Sequence, residues 1–193
     1  MRHLPNALTL ARLLLGIMTA LLILAPEQPD WTGAALAFTA GALSDGLDGW
    51  LARRLDARSR FGATLDPLAD KVLVGGALLG VMVSGPIGPI DRVACALILL
   101  RELLVPVFRL IAARRGMALP VTGLAKVKTA VQMAAVLALM AAAGWTQTVP
   151  GEPGRGLLWL AAAFTVLTGI GYGRAALGST HRAAPPRREG QDR

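Results

Sequence analysis

The sequence predicts an all-α integral membrane protein, a bundle of six transmembrane helices. Of its 193 residues, 54% are hydrophobic and only 17% are charged. Soluble domains carry about 25% charged residues, so this composition disfavours an ordinary soluble fold. The chain also contains six apolar stretches of about 20 residues, the length that a helix needs to cross the hydrocarbon of a bilayer. A chain of this size, about 150 to 200 residues, is expected to form one domain.

Turn signals and charges separate the six stretches. The predicted spans lie near residues 7–25, 31–52, 62–84, 91–113, 123–144 and 156–177. Their boundaries are marked by Gly, Pro or Arg clusters at 26–30, 53–60, 85–89, 114–120 and 147–155. The first stretch resembles a signal peptide because Arg2 precedes it, but it lacks a small-residue cleavage site and further spans follow, so it is interpreted as a helix. The membrane domain is expected to cover residues 1–178, and the Pro- and Arg-rich residues 179–193 to form a disordered basic tail.

The positions of Lys and Arg predict the orientation. The net charge is +8, and most of the excess lies at one set of helix ends: Arg2, Arg53, Arg54, Arg58, Arg60, Arg114, Arg115, Arg182, Arg187, Arg188 and Arg193. The opposite ends contain only Arg92 and Arg155, alongside acidic residues. By the positive-inside rule, both termini face the cytoplasm, in a bacterial-type inner membrane. The same rule accounts for the positive charge without nucleic acid as a partner. The single Cys95 excludes an internal disulfide and argues against a thiolate metal site.

Four aspartates interrupt the predicted second and third spans. Asp45 and Asp48 are three residues apart, and Asp66 and Asp70 are four apart, so each pair lies on one helix face. Both pairs are near the cytoplasmic ends of consecutive antiparallel helices that a short loop connects. An ionisable group inside a span costs roughly 2.5 to 3.5 kcal/mol, so each of these residues requires a function or a partner. The four carboxylates are therefore expected to converge at one depth.

Converging carboxylates indicate bound divalent cations. Four ionised groups would repel one another in a low-dielectric site, and two cations would balance their charge. Ligation by carboxylate oxygens alone favours Mg²⁺ or Mn²⁺ over zinc, and paired metal ions recur in phosphoryl transfer. Two alternatives remain open at this point. The aspartates could form salt bridges with Arg53, Lys71 or Arg101, or they could form the cation relay of an ion transporter.

The spacing of these residues resembles a known signature. The pattern Asp45-x₂-Asp48-Gly49-x₂-Ala52-Arg53-x₈-Gly62-x₃-Asp66-x₃-Asp70 is similar, at every fixed position, to that of the CDP-alcohol phosphotransferase family. The resemblance implies six helices around a polar cavity that faces the cytoplasm, and usually a homodimer. It also implies transfer of a substituted phosphate from a CDP-linked donor to an alcohol, with release of CMP.

The resemblance further implies a role for each matched residue. Asp45, Asp48 and Asp66 would be metal ligands, and Asp70 would be both a ligand and the general base. The CDP-linked donor would contact the remaining signature residues, Gly49, Ala52, Arg53 and Gly62. The segment from Pro5 to Arg12 also resembles a family segment and makes Asn6 and Thr9 candidates for donor binding. Capping of the first helix is the alternative role of Asn6.

A second set of charged residues in the spans predicts the acceptor. Cationic groups bind phosphate well, so Arg101, Arg109, Lys126 and Lys128 are candidates for binding an anionic acceptor alcohol. Glu102 is expected to pair with Arg101 or to order the cavity. Exposed cations such as Lys126 could instead reach lipid headgroups.

The surrounding segments narrow the choice of acceptor. Residues 101–109 and 126–133 resemble those of bacterial phosphatidylglycerophosphate synthases, except that Ala125 replaces a common Gly. This resemblance implies CDP-diacylglycerol and glycerol 3-phosphate as substrates and a role in phospholipid biosynthesis. Such a reaction needs no Ser, Cys or His nucleophile, so direct displacement is the simpler mechanism, and a covalent phosphoryl-aspartate is the alternative. Inositol phosphate, phosphatidylglycerol or serine remain alternative acceptors within the family.

Overall fold

Every predicted apolar stretch forms one helix in the computed structural model. The structure describes residues 4–55, 60–114, 124–145 and 151–178, and it describes side chains within these ranges only for residues 6–45, 65–114, 127–145 and 151–169. The described residues form six helices, α1 Leu4–Ile23, α2 Trp31–Leu55, α3 Arg60–Ser84, α4 Pro89–Arg114, α5 Leu124–Gly144 and α6 Glu152–Gly178. The predicted all-helical fold is confirmed. The predicted tail, residues 179–193, lies outside the described residues.

Helices α4 and α6 begin a few residues before the predicted spans. In α4 the amide of Arg92 donates to the carbonyl of Gly88, so Gly88 is the N-cap and Pro89 is the first helical residue. In α6 the amide of Arg155 donates to the carbonyl of Gly151, which places Pro153 in the first turn. Proline suits this position because the first amides of a helix have no partner within the helix. Gly and Pro, interpreted as loop residues from the sequence, here start the helices.

Small residues allow α1 to lie close against α3. A Cβ placed on Gly16 would be 2.8 Å from the backbone nitrogen of Leu73, and one on Gly80 would be 2.8 Å from Cγ2 of Ile23. Helix α1 also packs against α2, while α4 and α5 both pack against α6. Further contacts connect α2 with α5 and α3 with α4 and α5. The three consecutive helices α1 to α3 therefore form one unit, in which α2 and α3 both pack against α1.

The outer surface of the bundle is apolar. Large hydrophobic side chains are more than half exposed along the helices, including Leu14, Leu21, Leu36, Leu43 and Leu103. Extended apolar surface of this kind is rare in soluble monomers and indicates contact with lipid. Three helical stretches among the described residues, Asn6–Ile23, Leu65–Ser84 and Val127–Gly144, are long and apolar enough to cross a membrane by length and composition. The chain is an integral membrane protein.

Candidate active site

Arg12 joins two of the predicted aspartates at one end of the bundle. Its Nη1 atom lies 3.0 Å from Oδ1 of Asp45 on α2 and 2.9 Å from Oδ1 of Asp70 on α3. The guanidinium is fully buried, and its Nε atom is 3.4 Å from the hydroxyl of Ser44, which itself donates to the carbonyl of Gly41. A buried cation is costly unless it is paired, so these carboxylates stabilise Arg12 as much as Arg12 stabilises them. One side chain of α1 thus fixes the relative positions of α2 and α3.

Asp66, the third described aspartate, contacts α1 one turn before Arg12. The hydroxyl of Thr9 donates to Oδ1 of Asp66 over 2.6 Å. Thr9 and Arg12 are three residues apart, so they lie on one face of α1. That face therefore contacts Asp45, Asp66 and Asp70 together. The sequence predicted convergence of the carboxylates, and the structure attributes it to α1, a helix outside the signature.

The chemistry of these carboxylates suits a hard divalent cation. The side chains of Asp45 and Asp70 are 53% and 52% exposed, so each can bind a ligand while it remains paired with Arg12. Their Oδ1 atoms are close enough for both to contact one nitrogen. Within the described side chains, no three acidic, thiol or imidazole groups form a complete metal site. Asp48, the fourth predicted ligand, is not among the residues whose side chains the structure describes.

A second charged cluster connects α4 with α5. Glu102 accepts from Nη1 of Arg101 over 3.2 Å and also contacts Nζ of Lys128. Lys128 is 2% exposed, and Glu102 provides the carboxylate that a buried ammonium requires. The three side chains together carry one net positive charge. The expected pairing of Glu102 with Arg101 is present, and Lys128 is an additional partner of the same carboxylate.

A cavity lies between the two clusters. Its volume is about 240 Å³, and it is lined by Pro67, Asp70, Lys71, Val74, Gly75, Glu102, Thr129 and Gln132. Asp70 connects it with the aspartate cluster, and Glu102 connects it with the charged cluster on α4 and α5. Ligand pockets typically measure about 300 to 1,000 Å³, so this space suits a small polar molecule rather than a whole lipid.

The aspartates and the small charged cavity beside them agree with the protein family that the sequence matches over most of its length. The sequence profile of the CDP-alcohol phosphatidyltransferase family matches residues 2–167. The chain belongs to this family. Membership confirms the resemblance inferred from the aspartate signature, and members of this family generally depend on a metal ion.

Curated relatives from several bacteria are similar over nearly their full length. A protein of Rickettsia typhi named CDP-diacylglycerol--glycerol-3-phosphate 3-phosphatidyltransferase is 34% identical over 176 residues, which covers 91% of this chain and 97% of that protein. A protein of Bacillus subtilis with the same name is 35% identical, covering 89% and 94%. Another from Escherichia coli is 34% identical, covering 90% and 94%.

The phosphatidyltransferase signature is only partly within the described side chains. Asp45, Asp66 and Asp70 are described, whereas the side chains of Asp48, Gly49, Ala52, Arg53, Gly62 and Lys126 lie outside that part of the structure. Thr9 was predicted to contact the CDP-linked substrate, and in the structure its hydroxyl donates a hydrogen bond to Asp66. Arg109 lies two turns after Arg101 on α4 and is partly buried. The predicted roles of these residues remain predictions.

Sequence reasoning gave no role in the site to Arg12 or Gln132, and it considered Lys71 only as a salt-bridge partner of the aspartates. Arg12 was detectable, because it is the only Lys or Arg between residues 4 and 52 and lies within a predicted span. A cation there requires an acidic partner, and Asp45 is in the next helix. Lys71 and Gln132 line the cavity, but their placement depends on how α3 packs against α5. Neither residue has a periodicity or motif that would reveal this contact.

Proposed function

We propose that this protein transfers the phosphatidyl group of CDP-diacylglycerol to glycerol 3-phosphate, yielding phosphatidylglycerophosphate and CMP. Family membership and the names of its bacterial relatives support the reaction type and both substrates. The small volume of the cavity favours a small acceptor over phosphatidylglycerol, the largest of the alternatives, and Lys71 in its lining suits an anionic acceptor. The family match favours an enzyme over an ion transporter.

The observation that carries this proposal is that Asp70 belongs both to the aspartate cluster and to the lining of the cavity. Its carboxylate is paired with Arg12 in the aspartate cluster, and it also lines the cavity. A general base must lie within hydrogen-bond reach of the acceptor hydroxyl, and that hydroxyl must lie next to the donor phosphate that it attacks. Among the described residues, Asp70 is the aspartate that lines this cavity. This supports its proposed role in deprotonating the acceptor.

The proposed reaction is a direct displacement at phosphorus. The primary hydroxyl oxygen of glycerol 3-phosphate attacks the phosphorus that carries the diacylglycerol, and its proton passes to Asp70. The bond from that phosphorus to the bridging oxygen breaks, and CMP leaves with the electron pair. Lys71, which lines the cavity, and the charged cluster of Arg101, Glu102 and Lys128 would bind the acceptor phosphate. Arg109 and Lys126 remain proposed contributors.

Asp45, Asp48, Asp66 and Asp70 would hold the metal ion on which the family generally depends. We propose Mg²⁺ or Mn²⁺, with two ions balancing the four carboxylates. When bound, such ions neutralise charge on the diphosphate and on the departing phosphate. Arg12 would keep Asp45 and Asp70 oriented, and Thr9 would do the same for Asp66. Gly49, Ala52, Arg53, Gly62 and Asn6 are the proposed neighbours of the nucleotide.

The proposed arrangement in the membrane has six spans, with the aspartates on the cytoplasmic side. All six helices are 20 to 27 residues long, a length that supports six crossings. The excess of Arg at the ends that hold the aspartates supports a cytoplasmic active site and cytoplasmic termini. A homodimer is proposed from the family resemblance.

A panel of acceptors tests the proposed reaction. Purified enzyme in mixed micelles receives radiolabelled CDP-diacylglycerol, Mg²⁺ and one of glycerol 3-phosphate, inositol phosphate, serine or phosphatidylglycerol. CMP release and the lipid product are measured together. We expect phosphatidylglycerophosphate as the main product, with little CMP when no acceptor is added. A main product from another acceptor would contradict the proposed substrate, and absence of CMP with every acceptor would contradict the reaction class.

Removal of the metal gives a second test of the same proposal. EDTA should abolish CMP release, and addition of Mg²⁺ or Mn²⁺ in excess should restore it. The matched control is EDTA already saturated with Ca²⁺, which shows whether chelator itself inhibits. Full activity in EDTA, after dialysis against the chelator, would show that the aspartates act without a metal ion.

A further inference from the structure

One buried amide nitrogen in the candidate cavity has no hydrogen-bond partner among the residues that the structure describes. Gln132 is 2% exposed, and its Nε2 atom forms no hydrogen bond with any residue that the structure describes. A buried donor left unpaired costs about 1 to 3 kcal/mol, so such groups are rare unless a ligand or water completes them. Gln132 also lines the cavity that contains Asp70. The missing partner is therefore expected among the molecules that enter this cavity.

The position of Gln132 follows from the face of α5 on which it lies. Lys128 and Gln132 are four residues apart and so occupy neighbouring positions on one helix face. Lys128 is fixed by Glu102 on α4, and Glu102 itself lines the cavity. This ion pair connects α5 with α4 one turn before Gln132. The amide is thus positioned by the charged cluster but is chemically distinct from it, because it is neutral.

Glycerol 3-phosphate presents three different polar groups to the cavity. Its primary hydroxyl must lose a proton, which requires a base such as Asp70. Its phosphate requires cations, and Lys71 and the cluster around Glu102 provide positive charge. Its secondary hydroxyl is neutral and is both a donor and an acceptor. Among the described cavity residues, Gln132 is an amide with both functions, donating from Nε2 and accepting at Oε1.

We propose that Gln132 binds the secondary hydroxyl of the acceptor and thereby selects glycerol 3-phosphate over simpler phosphorylated alcohols. The inference rests on the proposed function, because it requires this acceptor. A buried amide donor discriminates strongly against an acceptor that lacks the matching hydroxyl, because the donor is then left unpaired. Gln132 and Asp70 line the same cavity, so the same hydrogen bond would orient the primary hydroxyl toward Asp70. It is a specificity residue that contacts the substrate but exchanges no proton.

The experiment compares two acceptors in purified wild-type and variant enzyme with Mg²⁺ and CDP-diacylglycerol. The second acceptor is 3-hydroxypropyl phosphate, which is glycerol 3-phosphate without the secondary hydroxyl. For the wild type, we expect kcat/KM to be about 10- to 100-fold higher with glycerol 3-phosphate. Gln132→Met keeps the volume of the side chain but removes the amide, so it should lower kcat/KM for glycerol 3-phosphate by about the same factor. It should change kcat/KM for the hydroxypropyl analogue less than about threefold.

Thr165→Val is the matched control. Thr165 is also buried, with a hydroxyl that has no partner among the described residues, but it lies on α6 and does not line the cavity. Replacing it with an apolar residue of similar shape should leave the ratio between the two acceptors unchanged. Gln132→Leu provides a second variant and should also lose the preference, because it can neither donate to the secondary hydroxyl nor accept from it. Folding of each variant is checked by size-exclusion chromatography and thermal unfolding.

The outcomes separate this inference from the function on which it rests. If wild-type enzyme does not use glycerol 3-phosphate, the proposed function and the inference both fail. If it does, but both folded variants lose activity equally with the two acceptors, Gln132 binds the phosphate or only supports packing, and the inference alone fails. Unchanged kinetics in both variants would likewise refute it. If Gln132→Met does not fold, the acceptor ratio of Gln132→Leu decides between these outcomes.

Discussion

At the scale of single residues, Asp70 is where the aspartate cluster and the cavity meet. We expect Asp70→Asn to lower CMP release by at least about 100-fold, because the amide cannot accept the proton of the attacking hydroxyl. The measurement is turnover with saturating substrates in purified, folded enzyme. Asp30→Asn is the matched control, since Asp30 caps α2 at the other end by accepting from the amide of Gly33, and Asn caps a helix equally well. Normal turnover in Asp70→Asn would remove Asp70 from catalysis.

Arg12 separates two negative charges that would otherwise face each other. Arg12→Gln should lower the free energy of unfolding measured in EDTA by about 1 to 3 kcal/mol. Breaking a fully buried pair costs about 3 to 5 kcal/mol, and the cost is smaller here because Asp45 and Asp70 are half exposed. The uncompensated carboxylates should also bind a cation more tightly. We therefore expect Mn²⁺ to raise the melting temperature of Arg12→Gln more than that of wild type.

The control for this prediction is Arg92→Gln, an exposed arginine in the first turn of α4 at the opposite end of the bundle. It should match wild type both in EDTA and in Mn²⁺. If Mn²⁺ raises the melting temperature of Arg12→Gln and of wild type by the same amount, Arg12 does not compensate the charge of the aspartates. This comparison uses thermal unfolding and so does not depend on catalytic activity.

At the scale of helices, the approach of α1 to α3 determines whether Arg12 and Thr9 can contact their aspartates. Gly16→Ala would place a Cβ 2.8 Å from backbone atoms of Leu73, which cannot rotate away. We expect it to destabilise the protein by about 1 to 3 kcal/mol, since inserting a methyl group into a packed interface forces the helices apart. Activity should fall as well, because Arg12 is one turn from Gly16. Thermal unfolding and CMP release test both effects.

Gly169→Ala is the control for Gly16→Ala. A Cβ at Gly169, in α6, would have no atom of another described helix within 4 Å. Alanine is a better helix former than glycine, so this substitution should leave stability unchanged or raise it by up to about 1 kcal/mol. If the two variants behave alike, the short distance between α1 and α3 is not under steric constraint.

The six helices could be predicted from the sequence because each needs about 20 apolar residues between charges or turn residues. Helix starts were less predictable, since Pro89 and Pro153 belong to first turns rather than to loops. The convergence of the aspartates followed from helix periodicity. Their partner on α1 did not, because it depends on which helices pack together. The cavity position of Gln132 is similarly a property of packing and not of spacing along the chain.

At the scale of the whole molecule, the two ends of the bundle differ in chemistry. The end with Asp45 and Asp70 has half-exposed carboxylates beside a cavity. The other end has Asp91, which is 1% exposed and accepts from Nε of Arg155 over 2.8 Å and from Nε1 of Trp159 over 3.0 Å. It also accepts from the amide of Gly88 over 3.3 Å. This carboxylate is surrounded by donors and connects the first turns of α4 and α6, so its role is structural.

Asp91→Ala should therefore change stability without changing chemistry. It leaves the donors of Arg155, Trp159 and Gly88 without their acceptor, and we expect a loss of about 2 to 3 kcal/mol, with Arg155 partly rescued by solvent. For a chain of this size, that loss corresponds to a fall in melting temperature of about 4 to 12 °C. KM for both substrates and kcat, measured well below the transition, should remain within about twofold of wild type. A large rise in KM would instead show that the two ends are coupled.

Glu152→Gln provides a sharp comparison, because it removes a carboxylate that contacts the same arginine. Oε1 of Glu152 lies 2.9 Å from Nη1 of Arg155, but its side chain is 80% exposed. Exposed ion pairs contribute about 0 to 1 kcal/mol, so this variant should melt within a few degrees of wild type. If Asp91→Ala and Glu152→Gln lose equal stability, then burial of Asp91 adds nothing to the connection between α4 and α6. A clearly larger loss for Asp91→Ala, with kinetics unchanged in both, would locate the stability of the bundle at one end and its chemistry at the other.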